Sequence, residues 1–337
     1  MLNFQTADPI EFNIPDRDYE PREQTPPNYT LHHDTRNGSK LRDRIFGHHD
    51  SIISFSEGFL AKILGSGELQ FYQSYLSKLH LCLPPELIPQ VVGICYFPDG
   101  LQNRHKDAVS FMFQPISNLD AKQQQTVHQP YLLQRDITAG YKKPAILDIK
   151  IGIRTWKLGD SKEIEERRSK KLKASLCSMS NFRVRAAMWY HDVIYENPHY
   201  ENENGLTIVT REFGNSCNLN ELLSFFKDFF KFPGVIPAFV EKLKTLKESL
   251  IKLRNIYGLR LYSSSILIVY DDENPELFDL RILDFEKSYL DIEKVAEQYN
   301  ETLESAEDGV IDAVDNLQKL LETVKSEIEE SHPSDHV

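Results

Sequence analysis

Two hydrophobic rhythms run along this chain, and the places where they change mark its elements. Neither rhythm is present up to about residue 50, where PDRDYEPREQTPPNY and HHDTRNGSKLRDR are polar and proline-bearing. That composition predicts an extended arm over 1–50, partly draped on the body. From Ser51 the texture changes: SIISFSEGFLAKIL reads as a hairpin turning at Ser56-Glu57-Gly58. Leu69, Tyr72, Leu76 and Leu79 then recur at helical spacing over 68–79. Short apolar runs at 91–97, 109–114 and 131–134 are separated by polar loops, so the first half predicts a small, mostly antiparallel sheet with one helix. A linker near 131–140 leads into the strand of PAILDIKIGIRTW (144–156) and a charged helix over about 161–173. Beyond them the pattern predicts strands at 182–190 and 205–211, helices near 218–230 and 236–256, strands at 261–271 and 278–288, and a final helix in GVIDAVDNLQKLLETVKSEIEE. The expected architecture is α+β: a small lobe over 51–134 and a larger α/β lobe over 135–337, with ligands favouring the crevice between them.

Composition narrows the class. At 337 residues, 40% hydrophobic and 11% aromatic, the chain fits an ordinary globular protein with a sizeable core. No apolar run approaches the ~20 residues of a membrane helix. The N-terminus carries acids and prolines where a signal peptide needs a basic start and an apolar stretch. Cys82, Cys95, Cys177 and Cys217 are scattered without C-x-x-C pairing and read as free thiols of a reducing compartment. Cytoplasm or nucleus is the expected location, without a membrane span. A net charge of −12 argues against a nucleic-acid partner. There is one local exception. EERRSKKLK places Arg167, Arg168, Lys170, Lys171 and Lys173 within seven positions, and Arg167, Lys170 and Lys171 share a helix face at i, i+3 and i+4. Such a patch attracts a small polyanion. It also reads as a solvated face balanced by Glu163, Glu165 and Glu166, or as a nuclear-import signal.

Charges stand among apolar neighbours at three places in the chain. In PAILDIKIGIRTW, strand periodicity puts Asp148, Lys150 and Gly152 on one face. Lys62 sits inside GFLAKIL, with Glu68 six residues on at the head of a helix, an arrangement suited to gripping phosphates; a snorkelling lysine is the plainer alternative. Asp284 ends an apolar strand close to Ser263, Ser264 and Ser265, and is a candidate Mg²⁺ ligand or simply an acid opening a turn. Gly65-Ser66-Gly67 is not a P-loop, since no G-x-x-x-x-G-K-[ST] occurs. Phe225, Phe226, Phe229 and Phe230 read as helix core.

Together these segments resemble one family. Pro144, Asp148, Lys150 and Gly152 match the P-x-x-x-D-x-K-x-G signature of the inositol polyphosphate kinases. GFLAKIL with Glu68 and Phe71-Tyr72, the YLLQRDITAGYKKP hinge, NFRVRAAMWY, LYSSSILIVYD, ILDFEKS and EDGVIDAVDNLQKLL are similar, in order, to its further motifs from Gly58 to about Leu320. The resemblance implies a two-lobed, protein-kinase-like fold with ATP in the cleft and Mg²⁺ as metal. It implies that Lys62, paired with Glu68, holds ATP phosphates, and that backbone around Arg135 and Ile137 meets adenine. Asp284 would ligate Mg²⁺ with Ser265 nearby, Asp148 would lie between ribose and substrate, and Lys150 would contact the acceptor hydroxyl and the phosphoryl group in transfer. Arg167, Lys170 and Lys171 would grip inositol polyphosphates. The wording G-I-R-T-W…S-K-E is most similar to the multikinase branch, which carries inositol trisphosphate and tetrakisphosphate towards pentakisphosphate; the alternatives are the hexakisphosphate kinase branch, which makes pyrophosphates, and a non-catalytic sensor. A monomer is expected. The chain departs from the pattern at Gln134-Arg135, at Asn181 and Ala186 where glycines are usual, at Glu286 where alanine is usual, and at Ala313.

Overall fold

The protein is described by a computed structural model covering residues 28–32, 52–55, 58–97, 108–115, 129–173, 177–190, 197–203 and 205–331. The Ser56-Glu57 part of the expected hairpin turn lies outside the described residues. Gly58, which closes that turn, has φ +77°, a left-handed conformation that suits glycine.

The small lobe is a six-stranded sheet built from β1 (Asn28–His32), β2 (Ile52–Phe55), β3 (Phe59–Ile63), β4 (Val91–Tyr96), β5 (Ala108–Pro115) and β6 (Pro130–Arg135). Its order is β1-β5-β4-β6-β3-β2, and every pair is antiparallel. β1 falls in the stretch expected to be an arm; five of its residues pair with β5 and extend the sheet edge. Helix α1 (Ser66–Ser77) follows β3, as its spacing predicted. One sheet face closes over Phe55, Phe59, Ala61, Cys95 and Leu133.

The large lobe carries a second antiparallel sheet: β7 (Pro144–Ile151), β8 (Phe182–Tyr190), β9 (Tyr200–Glu203), β10 (Leu206–Val209), β11 (Ser265–Asp271) and β12 (Phe278–Leu283), in the order β12-β11-β7-β8-β10-β9. Between β7 and β8 lies α2 (Lys162–Lys173). Helices α3 (Leu219–Phe229), α4 (Ile236–Tyr257) and α5 (Val310–Ser331) pack on one another and on the sheet. Asn218 and Glu221 form a capping box that starts α3. Phe225, Phe226, Phe229 and Phe230 are all buried, Phe225 and Phe229 against Trp189 and Phe229 and Phe230 against Tyr270, so this cluster is core.

β7 is the central strand, and its alternation divides it. Leu147, Ile149 and Ile151 join the helix-side core, while Ile146 belongs to a separate cluster with Met188 and Val269 on the opposite face. Asp148 and Lys150 share that second face. Gly152 does not. The strand ends at Ile151, and Gly152 turns away at φ +91°. A Cβ there would stand 2.6 Å from the Asp308 carbonyl oxygen. The glycine therefore lets the segment before α5 press against the end of β7, where Ile153 N–H donates to the same carbonyl at 2.7 Å. Asn181, in place of a usual glycine, adopts φ +59°, a conformation open to Asn more than to most side chains. Cys82, Cys95 and Cys217 are free thiols. No helix among the described residues is long and apolar enough to cross a membrane.

Candidate active site

Between the lobes lies a cavity enclosing about 910 Å³ of atom-free space, part of it open to solvent. Lys62 and Glu68 line it from the small lobe, Arg135 and Ile137 from the connection, and Asp148 and Asp284 from the large lobe.

Asp284 is the meeting point. It sits one residue beyond β12 in left-handed backbone, φ +66°, and Ser264 Oγ pins it by donating to its carbonyl oxygen at 3.0 Å. Its Oδ1 accepts from Lys62 Nζ at 2.8 Å and its Oδ2 from Lys150 Nζ at 2.5 Å. Lys62 Nζ also donates to Glu68 Oε1 at 3.1 Å, and Lys150 Nζ to the Ser263 carbonyl at 2.9 Å. Lys62 is therefore no snorkelling lysine: it is ion-paired from both lobes. Burial by itself would lift the Asp284 carboxyl, but Lys150 and Lys62 outweigh it and hold the group well below the usual carboxylate range. Burial would lower Lys62, and Asp284 and Glu68 raise it instead. Burial raises Glu68, with Lys62 opposing.

Asp148 is buried on the strand before Lys150. Burial pushes its carboxyl up, and Lys150 pulls it back. Ser265 Oγ is its hydroxyl neighbour and also lowers it, although neither Asp148 Oδ1 nor Ser265 Oγ makes a hydrogen bond of ordinary geometry among the described residues. Ser265, paired in register with Lys150, is fully buried and does not line the cavity. It belongs beside Asp148 rather than at a metal. Asp148 thus keeps a buried oxygen beside the cleft with only the Ser265 hydroxyl near it. The Asp284 carboxylate and the buried Asp148 carboxyl are oxygen ligands of the kind Mg²⁺ takes, and the residues present fit a metal-bound nucleotide.

At the connection, Arg135 N–H donates to Gln90 O and Asp136 N–H to Gly58 O, both at 2.9 Å. No described residue accepts the Ile137 N–H, which leaves it available to a ligand in the cleft. The Arg135 guanidinium lies over the Phe59 ring at 4.3 Å, so the unusual hinge side chain is occupied by stacking.

On the basic helix, the face that spacing grouped is turned to solvent. Arg167, Lys170 and Lys171 are exposed, and none makes a hydrogen bond or ion pair to the lysine–aspartate cluster among the described residues. Ile164 and Leu172 pack on Trp156, which sets the helix rotation. That stripe, i to i+8, brings Arg168 inward, where its Nη1 donates to the Thr155 carbonyl. Lys287 Nζ donates to the same carbonyl at 2.6 Å and to Ser263 Oγ at 3.3 Å. Burial first, then the neighbouring Arg168, Lys157 and Lys150, push Lys287 down to about 8. Lys287 and Arg168 are thus cations gathered near Lys150 that charge patterning did not single out. The apolar pair Ile164 and Leu172 marked the inward face in the sequence, and Lys287 lay three residues past Asp284 in ILDFEKS.

A kinase-like cleft between an antiparallel small lobe and a mixed large lobe is the class this fold and site define. Residues 131–322, more than half the chain, match the family model of inositol polyphosphate kinases, and the chain belongs to that family. It is similar in fold to the crystal structure of inositol phosphate multikinase Ipk2 from S. cerevisiae in complex with ADP and Mn²⁺: TM-score 0.56 and 18% identity, covering 79% of this chain and 98% of that one. An uncharacterized inositol polyphosphate kinase of Schizosaccharomyces pombe is 25% identical over 178 residues, 48% of this chain and 18% of its own length. Inositol hexakisphosphate kinase 3 of Mus musculus is 23% identical over 213 residues, 58% of this chain and 51% of its own. The chain thus spans from under a fifth to about half of the length of the S. pombe and mouse relatives.

Proposed function

We propose that the protein transfers the terminal phosphoryl group of ATP to hydroxyls of soluble inositol polyphosphates, taking tris- and tetrakisphosphates towards pentakisphosphate. The observation that carries this reading is the Asp284 carboxylate held at once by Lys62, on the nucleotide side, and Lys150, on the acceptor side. Phosphoryl transfer is largely positioning and charge neutralisation, so a lysine at each side of one carboxylate supplies what the reaction needs. A bound Mg²⁺ would neutralise phosphate oxygens beside Asp284. Lys62, oriented by Glu68, holds nucleotide phosphates; the Ile137 N–H donates to the base; Asp148 accepts from a hydroxyl. Lys150 orients the acceptor oxygen, and Lys287, Arg168 and the exposed cations of α2 receive its phosphates. Cytoplasm and nucleus are the proposed compartments, and a monomer the proposed state.

The similarity to mouse inositol hexakisphosphate kinase 3 supports a second reading, the formation of pyrophosphates. Incubation with γ-labelled ATP and a panel of inositol phosphates separates the two. Labelled pentakisphosphate is the expected product; a labelled pyrophosphate moves the assignment to the second reading, and no labelled product from any acceptor removes the enzyme reading.

A further inference from the structure

Helix α1 begins without a cap of its own. Its N-cap residue is Gly65, which has no side chain to accept the free N–H groups of the first turn. The acceptor comes from the other lobe. Glu286 Oε2 accepts from Gly67 N–H at 3.1 Å and from Glu68 N–H at 3.2 Å, 219 and 218 residues away in sequence. The two glycines are what let it in. A Cβ at Gly65 would collide with the Glu286 carboxylate, and one at Gly67 with the Glu286 backbone carbonyl. Gly65-Ser66-Gly67, a glycine pair with no phosphate-loop pattern, thus has a function in shape: it receives Glu286.

Glu286 closes a run of three consecutive contacts from the large lobe, one onto β3 and two onto α1. Asp284 bonds Lys62, the partner of Glu68; Phe285 stacks on Phe71 with ring centroids 3.7 Å apart; Glu286 caps the turn that carries Glu68. Its other oxygen pairs with Lys157 at 3.2 Å. A carboxylate at a helix N-terminus is favourable through both hydrogen bonding and the helix dipole. Without it the first turn is free to fray, and Glu68 lies in that turn.

We infer that Glu286 is a positioning residue for nucleotide binding: by capping α1 across the cleft it holds Glu68 against Lys62 in the geometry that grips ATP phosphates. This rests on the proposed kinase reading, and it gives a role to a residue standing where the family pattern carries alanine.

The test measures MgATP affinity with a fluorescent ATP analogue, beside steady-state constants for both substrates and amide exchange at Gly67 and Glu68. Glu286→Ala is expected to weaken MgATP about tenfold, in line with loss of a charged cap. Faster exchange at both amides should accompany that loss, with KM for the inositol phosphate within about twofold. Glu286→Gln keeps an acceptor oxygen and should recover most of the affinity. Gly65→Ala, whose backbone at φ −94° tolerates a side chain, should expel the carboxylate and reproduce the defect. The double variant Gly65→Ala/Glu286→Ala should then be no worse than either single change. Unchanged nucleotide affinity in Glu286→Ala, or losses that multiply in the double variant, overturns the inference. If Glu286→Ala does not fold, the Gln and Gly65 variants carry the same decision. Failure of the kinase reading shows separately, as a wild-type protein that binds no MgATP.

Discussion

Lys287 has the most consequential electrostatic environment among the residues that spacing did not single out. It is half buried, its Nζ is aimed at Thr155 O, and Arg168, Lys157 and Lys150 lie around it, so its charged form is disfavoured and its pKa falls to about 8. An arriving polyanion reverses that balance. The free protein therefore loses this charge as pH rises through about 8, and affinity for a phosphorylated acceptor is expected to fall with it. The acceptor's own second phosphate ionisations, near pH 6, lie below that window. KM for the inositol phosphate is expected to rise between pH 7 and 9 in the wild type, and the rise should be flattened in Lys287→Arg, which stays charged. A pH profile identical in the two proteins would remove Lys287 from the acceptor site. Asp148, Lys150, Lys62, Glu68 and Asp284, by contrast, were legible as charges among apolar neighbours. All but Glu68, which heads a helix, interrupt a hydrophobic run, and a buried charge without a partner is too costly to keep.

At the scale of elements, β7 shows how a strand and its stop share the task. The alternation of apolar positions put Asp148 and Lys150 on one face, and the structure has them so. Gly152 lies outside the strand because its left-handed backbone ends it and because Asp308 O occupies the space of a side chain. Gly152→Ala combines backbone strain with that collision and should destabilise the protein by about 2–4 kcal/mol, read as a lower urea midpoint at unchanged slope. A change under about 1 kcal/mol would show that the α5 approach is not rigid. Helix α2 carries the complementary lesson. Its length and charge were plain in the sequence, yet its rotation depended on Trp156, which lies outside the helix and accepts Ile164 and Leu172.

At the scale of the molecule, the two lobes share one core. A continuous apolar cluster runs from Phe71, Tyr72 and Tyr75 of α1 through Ile94 and Leu132 of the small sheet to β7, β8 and the helices beneath. Phe285 is fully buried between Phe71 and Tyr72, at the junction. Phe285→Ala should cost about 3–5 kcal/mol, the range for a buried aromatic, and should lower the melting temperature of both lobes together in calorimetry. A variant in which one lobe melts early while the other is unmoved would contradict the shared core.

The sequence by itself determined the order of the main elements beyond residue 50, the face of β7 that bears the charges, and the family, because periodicity and a spaced motif are local properties of the chain. Only the tertiary structure decided that residues 28–32 pair as a sheet edge, that Arg168 rather than its neighbours turns inward, and that Glu286 caps a helix more than 200 positions away. Those outcomes depend on which surfaces come into contact, and contacts between distant segments are set by packing and by unmet hydrogen-bonding groups that no local pattern records.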